Sequence, residues 1–279
     1  MTSASSLLII SAVFHALWNF CLKHSRHKVG AALAFMLVAT VLNAIYGFAT
    51  SELPQTSAGL VVSIIAAGIF EGLYFYLLNT AYAKQTLGFA YTIMRGGSMV
   101  LVWLISTIAL NETITPLSAL CVVVILAGIS LIQRTLSLRE FITSGAYAAY
   151  LCAGCIAGYH IAYGIAVRTG AAPALVFASA MACGVLTYIG CGRTHALRAV
   201  RAAVQQERSL IVIGGAACGL SFLLFLTALT TADPGKAISL RNTSVVFGIL
   251  LSLLSGERLH VIQWIGVGFV ALGVLGLLT

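Results

Sequence analysis

The stretch Tyr91-Thr-Ile-Met-Arg95-Gly-Gly-Ser98 lies early in a hydrophobic run that ends at Asn111-Glu112, and a second run then closes on Ala127-Gly128. One arginine therefore stands among apolar residues, about ten positions into its run. At about 1.5 Å per residue in a helix, that position is ~15 Å deep, or half of a hydrocarbon core about 30 Å thick.

The same order of residues returns near the end of the chain. Ala237-Ile-Ser-Leu-Arg241-Asn-Thr-Ser244 begins a run that ends at Gly256-Glu257, and the next run closes on Leu272-Gly273. The offset is 145 positions for Glu112 and Glu257 and for Gly128 and Gly273, but 146 for Arg95 and Arg241. These offsets predict an internal repeat, in which one sequence unit occurs twice. For the two arginines to be equivalent, one copy must carry a one-residue insertion.

The composition is that of a membrane protein. Hydrophobic residues make up 60% of the 279 residues and charged residues 8%, with a mean hydropathy of +1.04. Soluble domains have roughly 45–50% apolar and about 25% charged residues. The runs are continuous and of helical length, which predicts helices rather than a β-barrel. The net charge of +8 comes from basic residues in short loops, so nucleic acid is not an expected partner.

Ten apolar runs predict ten transmembrane helices, at about 5–22, 30–50, 58–81, 86–109, 116–133, 143–166, 172–191, 209–230, 236–254 and 261–278. Residues 1–135 and 143–279 hold five runs each. Because five is an odd number of crossings, the second copy must have the opposite orientation in the membrane. The predicted fold is therefore all-α and polytopic, with a 5+5 inverted-topology repeat. In secondary transporters, that architecture places the substrate near the midplane between the halves.

The loops differ in charge. Eleven basic residues lie in the loops after odd-numbered runs, and two, Arg168 and Lys236, lie in the others. The positive-inside rule then predicts that both termini lie outside the cytoplasm. In the loop from Arg193 to Arg208, apolar and basic residues separate onto different faces, which predicts a short helix on the membrane surface.

Arg95 and Arg241 are the first candidates for substrate binding. An arginine at mid-membrane costs at least about 2.5–3.5 kcal/mol and must face water, a partner or the bundle interior. Arg95 is thus predicted to anchor an anion, or alternatively to form a structural ion pair with Glu71 in the third run. Arg241 is about six residues into its run, where snorkelling to the surface stays open.

Polar residues mark one face of the first run. His15, Asn19 and Lys23 are spaced four apart with Trp18 beside them, and the offset of 145 carries His15 and Trp18 onto His160 and Tyr163. The histidines could contact substrate, relay a proton, pack in the core or form a metal-transport site. Glu71 could carry a coupling proton, receive a substrate ammonium group or neutralise Arg95.

Other features indicate structure rather than chemistry. Glu112 and Glu257 are predicted to offset the N–H groups of the helix that follows each. Small residues in the last run of each half predict close helix packing or a dimer seam: Ala119, Ala127, Gly128, Gly266, Gly268, Gly273 and Gly276. Cys152 and Cys155 have C-x-x-C spacing without a second ligand pair. No hydrolase, metalloprotease or P-loop motif is present, so no enzyme, cofactor or bound metal is expected.

Several of these motifs resemble the EamA-type branch of the drug/metabolite transporter superfamily: His15-Ala-Leu-Trp-Asn19, Asn111-Glu112, Gly256-Glu257, and the closing stretches 126–132 and 271–277. The resemblance covers nearly the whole chain. It implies ten helices in a 5+5 inverted repeat around a cavity lined by the first, third, fourth, sixth, eighth and ninth helices. Relatives commonly keep both termini in the cytoplasm, against the charge count here.

The chain is also similar to small EamA-like membrane proteins found with phosphonate-utilisation genes. By their charges, the paired arginines would suit a phosphonate or carboxylate and Glu71 an amine. The leading hypothesis is a secondary transporter of the cytoplasmic (inner) membrane that carries anionic or zwitterionic solutes, such as an aminoalkylphosphonate or an amino acid, by alternating access. The expected partners are the solute, membrane lipids, a coupling proton and a second copy of the chain.

Alternatives are an exporter of drugs or amphipathic metabolites, a lipid-linked sugar flippase or intramembrane enzyme, and a non-transporting sensor. The predicted substrate-binding residues are Arg95, Arg241, His15, His160, Glu71, Asn19, Trp18 and Tyr163.

Overall fold

The computed structural model describes residues 3–50, 56–110, 115–133, 142–191, 195–232, 234–257 and 259–276. The helices in chain order are α1 (Ser3–His24), α2 (Lys28–Thr50), α3 (Ala58–Lys84), α4 (Leu87–Leu110), α5 (Pro116–Gln133), α6 (Ala146–Val167), α7 (Pro173–Gly190), α8 (Ala196–Gln206), α9 (Arg208–Leu229), α10 (Pro234–Asn242), α11 (Ser244–Leu254) and α12 (Val261–Gly276).

The apolar runs form the membrane helices. Within the described ranges, seven helices, α1 to α4, α6, α7 and α9, are long and apolar enough to cross a membrane, and three shorter apolar segments accompany them at Pro116–Ile132, Leu240–Leu254 and Val261–Gly276. The prediction of an all-helical membrane protein is confirmed. The predicted breaks also recur: Pro173 begins α7, and Gly170 after α6 adopts φ 83°, a left-handed conformation that glycine tolerates best.

The predicted short helix of the 193–208 loop is α8. Its residue Ala203 is buried, whereas Leu197 and Val204 are exposed. A side chain at Gly30, near the start of α2, would collide with the carbonyl of Ala199. One face of α8 therefore packs on α2, and apolar residues remain exposed on the other.

Most of the long helices pack along a helix from the other part of the chain. α1 packs along α9 as α3 packs along α6, and α2 packs on α7 as well as on α9. α4 contacts α6, α10 and α11 contact α1, and α5 pairs with α12. The core lies between these pairs and brings residues of α1, α3, α4, α6, α9 and α10 together.

Glycines set the distance between α5 and α12. A Cβ added at Gly128 would lie 2.6 Å from the carbonyl oxygen of Gly266, and one added at Gly266 would lie 2.6 Å from that of Gly128. Gly273 similarly faces the Cys121 carbonyl oxygen at 2.8 Å. This glycine face is thus occupied by packing within one chain rather than offered to a second copy. Gly268 has nothing within 4 Å and lies on an open face.

Glu257 caps a helix, but a distant one. Its Oε1 accepts from the N–H of Leu87 at 2.7 Å and its Oε2 from the N–H of Gly88 at 3.1 Å, at the start of α4. The Ser252 hydroxyl also donates to this carboxylate. The predicted cap on the following helix is therefore wrong in its target, because the carboxylate accepts from the first residues of α4 instead. Glu112 lies outside the described residues.

We expect Glu257→Gln to destabilise the protein. The amide keeps one acceptor but turns an N–H₂ group towards backbone donors, and losing a helix cap costs about 0.5–2 kcal/mol. Thermal unfolding in detergent checks this. Ser252→Ala removes only the third contact and should lower the midpoint less; a Glu257→Gln midpoint equal to wild type would contradict the capping role.

Candidate functional site

The predicted charged and histidine side chains meet in the core. Arg241, His15 and Glu71 are 0% exposed, and Arg95 and His160 are 1% exposed. They come from five different helices, α10, α1, α3, α4 and α6. Snorkelling of Arg241 to the surface is thereby excluded in this conformation.

Arg241 is held by both histidines. Its Nη1 donates to Nε2 of His160 at 3.0 Å and its Nη2 to Nδ1 of His15 at 3.1 Å. The guanidinium carbon also lies 4.2 Å from the ring centroids of Phe222 and of Phe225. A guanidinium has no acceptor, so each contacted ring nitrogen must accept and each ring carries its proton on the other nitrogen.

This arrangement fixes the state of the histidines. The N–H groups at Nε2 of His15 and Nδ1 of His160 are buried and have no hydrogen-bond partner among the described residues. A doubly protonated imidazole would lose the bond from Arg241 and face a cation instead. A proton relay through either ring would therefore require Arg241 to move away first.

The run that carries Arg241 is broken, where the sequence predicted one helix over 236–254. α10 ends at Asn242 and α11 begins at Ser244. The N–H of Thr243 donates to the carbonyl of Leu240 at 3.1 Å, and its hydroxyl donates to the same carbonyl at 2.7 Å. Short polar side chains compete in this way with the regular helix pattern.

The break offers a reason for the one-residue slip of the repeat. The interval from Arg241 to Glu257 holds one residue fewer than that from Arg95 to Glu112, and Thr243 lies inside it. A turn closed by a bond three residues back rises about 2.0 Å per residue, against about 1.5 Å in an α-helix. The interval from Arg241 to Glu257 can therefore span the same depth of the membrane with one residue fewer. The equivalence of the two arginines itself stays a prediction.

Arg95 faces the broken run rather than Glu71. Its Nη1 donates to Oδ1 of Asn242 at 3.2 Å, and its guanidinium carbon lies 5.6 Å from the ring centroid of Tyr91. Glu71 instead accepts at Oε2 from the hydroxyl of Tyr163 at 2.8 Å. The alternative of an ion pair between Glu71 and Arg95 does not describe this structure. Nη2 of Arg95 and Oε1 of Glu71 have no hydrogen-bond partner within the described ranges.

Asn19 and Trp18 surround His15. Oδ1 of Asn19 accepts from the hydroxyl of Tyr82 at 2.8 Å, and its Nδ2 donates to the carbonyl of His15 at 2.9 Å. Trp18 Nε1 donates to His15 Nδ1 at 3.4 Å, and its ring stacks on Phe75 with centroids 5.3 Å apart. These contacts support positioning roles for both residues, and their contact with substrate stays a prediction.

The sequence reasoning missed several polar side chains of the core. The atoms concerned are the hydroxyls of Tyr91, Tyr159 and Ser244 and Nδ2 of Asn242, which are buried without a hydrogen-bond partner in the described parts of the chain. Tyr91 lies one helical turn before Arg95, so spacing could have found it. Asn242 and Ser244 flank the break at Thr243, which no periodicity predicted.

An apolar groove of about 520 Å³ lies between α3 and α6. Leu73, Tyr76 and Leu77 of α3 line it with Leu151 and Cys155 of α6, and Cys191 follows α7 at its edge. None of the predicted site residues lines this groove. The groove is therefore separate from the buried cluster of charged and histidine side chains.

Comparisons with known proteins agree with the fold. Residues 143–279 match the family described as "EamA-like transporter family". Over 66 residues, 23% of this chain, the sequence is 33% identical to "Uncharacterized transporter in cobO 3'region" of Sinorhizobium sp, and the match spans 47%, about half, of that relative's length. A solved structure described only as "Crystal structure of protein" has a TM-score of 0.64 at 17% identity, covering 98% of each chain.

The likeness to the solved structure shows the fold alone. The family match carries further, because it covers the whole of 143–279, from before α6 to beyond α12. By its description, that family consists of transporters. The chain is therefore a multi-pass membrane protein whose residues 143–279 match the EamA-like transporter family.

Proposed function

We propose that the protein is a secondary transporter that carries small anionic or zwitterionic organic solutes by alternating access. One observation supports the choice of solute. Among the described residues, the buried formal charges are the two arginines, Arg95 and Arg241, and one carboxylate, Glu71, which hydrogen-bonds to neither. An anionic solute would supply the charge that this core lacks.

The burial of the cluster supports alternating access. The five central side chains are at most 1% exposed, so a solute can reach them only after helices move apart. At one end of the bundle, Lys23 Nζ donates to the carbonyls of Tyr82 at 3.0 Å and Gln85 at 2.6 Å. Gln85 Nε2 in turn donates to the carbonyl of Ser144 at 2.7 Å. These bonds tie the ends of α1 and α3 to the start of α6.

A chain of contacts joins the centre to that sealed end. Arg241 bonds to His15, whose carbonyl accepts from Asn19, and Asn19 accepts from Tyr82. Tyr82 carries a carbonyl to which Lys23 donates. We infer that solute binding which shifts the segment carrying Arg241, and so separates Arg241 from His15, loosens the same helix that holds the seal.

The helix pairing supports the ten-segment, 5+5 inverted repeat. When α1 to α5 are matched in order with α6, α7, α9, the broken pair α10–α11, and α12, the α1–α9 pair maps onto α6–α3. The α2–α7 and α5–α12 pairs map onto themselves, and α4–α6 maps onto the contacts of α10 and α11 with α1. A pseudo-twofold axis between the halves 1–135 and 143–279 would produce this pattern.

Glu71 supports a zwitterionic solute. Among the residues that the structure describes, its Oε1 is an acceptor without a partner and Nη2 of Arg95 is a donor without one. A solute with an ammonium group at one end and an oxyanion at the other would satisfy both. Aminoalkylphosphonates and amino acids have this form, and protonation of Glu71 in the absence of the ammonium group would keep the empty site neutral at that end.

Counterflow into proteoliposomes tests the proposed function. We expect the wild-type protein to exchange labelled 2-aminoethylphosphonate, an amino acid or a dicarboxylate in a saturable way, and not to carry ethanolamine, which lacks the oxyanion. Carriage of cationic or uncharged drugs with no uptake of any anionic or zwitterionic solute would favour the drug exporter and overturn the proposal.

For the membrane, we propose the cytoplasmic (inner) membrane with both termini outside the cytoplasm. The eleven-to-two distribution of basic residues supports this orientation, which places the sealed end at Lys23 on the cytoplasmic side. Alkaline phosphatase fused after Thr279 should then be active and a fluorescent protein fused there dark. The reverse pattern would contradict the orientation and agree with the relatives named by resemblance.

A further inference from the structure

Four buried donor groups converge beside Arg95. Arg95 Nη2, the Tyr91 hydroxyl, Asn242 Nδ2 and the Ser244 hydroxyl each lack a hydrogen bond of normal geometry among the described residues. All four side chains are at most 1% exposed. The Tyr91 hydroxyl faces both Arg95 and Ser244 within reach of weak hydrogen bonds, and Arg95 bonds to Asn242, so the four belong to one cluster, the Arg95 cradle.

The chemistry of the Arg95 cradle is one-sided. A guanidinium and an amide N–H₂ only donate, and the one amide acceptor, Oδ1 of Asn242, is already taken by Arg95. Two hydroxyls can rotate to donate as well. Because buried donors without acceptors are costly to fold, a cluster of them favours a ligand that brings acceptors.

The distortion at Thr243 places two members of the Arg95 cradle. Thr243 keeps helical dihedral angles, and the N–H of Val246 donates to its carbonyl at 2.9 Å, so the run continues across this residue as a tightened turn. Asn242 and Ser244 lie on either side of that turn and are both buried.

Arg241 differs from Arg95 in this respect. Both of its terminal nitrogens donate to His160 and His15, and among the described residues only its Nε lacks a partner. Arg241 adjoins Asn242 at the end of α10. Its contacts therefore hold this segment in place, while the Arg95 cradle presents a terminal guanidinium nitrogen together with three further donor groups.

We propose that the Arg95 cradle, formed by Tyr91, Arg95, Asn242 and Ser244, binds the oxyanion group of the solute, and that Arg241 is a positioning residue. The inference rests on the proposed function, because it divides between two arginines the anion binding assigned to the core. It specifies an oxyanion with at least two acceptor oxygens, a phosphonate or a carboxylate, and assigns Tyr91, Asn242 and Ser244 to the site.

Equilibrium binding to the purified protein in detergent tests the Arg95 cradle. The ligands are 2-aminoethylphosphonate and β-alanine, which share an amine and differ in the oxyanion, with ethanolamine as the ligand that has none. We expect Ser244→Ala and Tyr91→Phe each to weaken binding of an oxyanion ligand roughly tenfold, since each removes one hydrogen bond to a charged group. Ethanolamine binding should not change between these variants and wild type.

Ser98→Ala is the matched control. Ser98 is also a buried serine of this region, but its hydroxyl already donates to the carbonyl of Arg95 at 2.9 Å. Its removal should leave affinity unchanged. Wild-type binding with equal affinity in Ser244→Ala and Tyr91→Phe, both folded by thermal melt, would overturn the Arg95 cradle alone. A wild type that binds neither oxyanion ligand and exchanges no anionic solute would overturn the proposed function as well.

Discussion

Arg95→Gln is expected to reduce affinity for anionic solutes by roughly 10- to 150-fold, because a hydrogen bond to a charged group is worth about 1.5–3 kcal/mol. Arg95 is 1% exposed, and its Nη2 lacks a hydrogen bond of normal geometry among the described residues, so glutamine would remove the donor offered to the solute. The effect should appear as a raised half-saturation concentration in counterflow, with the variant reconstituted at the same density as wild type.

The control for Arg95→Gln is Arg198→Gln. Arg198 lies exposed on α8, so the substitution changes the net charge equally without touching the core. Arg95→Lys should be intermediate, since an ammonium keeps the charge but not the planar fork of donors. If Arg95→Gln transports with wild-type affinity while folding normally, the solute is not held by this arginine.

Gly266→Val should prevent stable packing of the last segment of each half. The new side chain would meet the carbonyl oxygen of Gly128, with a Cβ distance of 2.6 Å, and neither helix backbone can yield as a flexible side chain would. Overpacking typically costs about 1–3 kcal/mol and occasionally more, and a backbone clash belongs at the upper end. We expect aggregation or a strongly lowered unfolding midpoint in size-exclusion and thermal assays.

Gly268→Val is the matched control for Gly266→Val. Gly268 lies two residues on in α12 and has nothing within 4 Å, so valine there meets open space. Both changes have the same effect on helix propensity and hydrophobicity. Equal stability of the two variants would show that the contact between α5 and α12 is not as close as described here.

The positions of the helices were predictable because a helix that crosses the hydrocarbon core must be apolar along most of its length. The depth of Arg95 followed from counting residues into its run, and the structure buries it as that count implied. His15 and His160 were found by the offset of the repeat. They contact the same guanidinium, that of Arg241, although nothing in the sequence joins them to it.

The wrong or missing predictions concerned which helices face one another and where a helix is distorted. Periodicity predicts the face on which a side chain lies but not the helix opposite, so Glu257 was assigned to the nearest helix and not to α4. The break at Thr243 depends on one hydroxyl competing with the backbone, which an apolar pattern does not reveal. Asn242 and Ser244 were missed for the same reason.

The central claim is that the solute's anionic group lies against a buried arginine. Solid-state NMR of protein labelled with ¹⁵N-arginine and loaded with 2-aminoethylphosphonate measures this directly through the dipolar coupling between phosphorus and guanidinium nitrogen. We expect a coupling at close range that disappears in Arg95→Gln and persists in Arg198→Gln. Bound phosphonate with no coupling to any arginine, or one unaffected by Arg95→Gln, would contradict it.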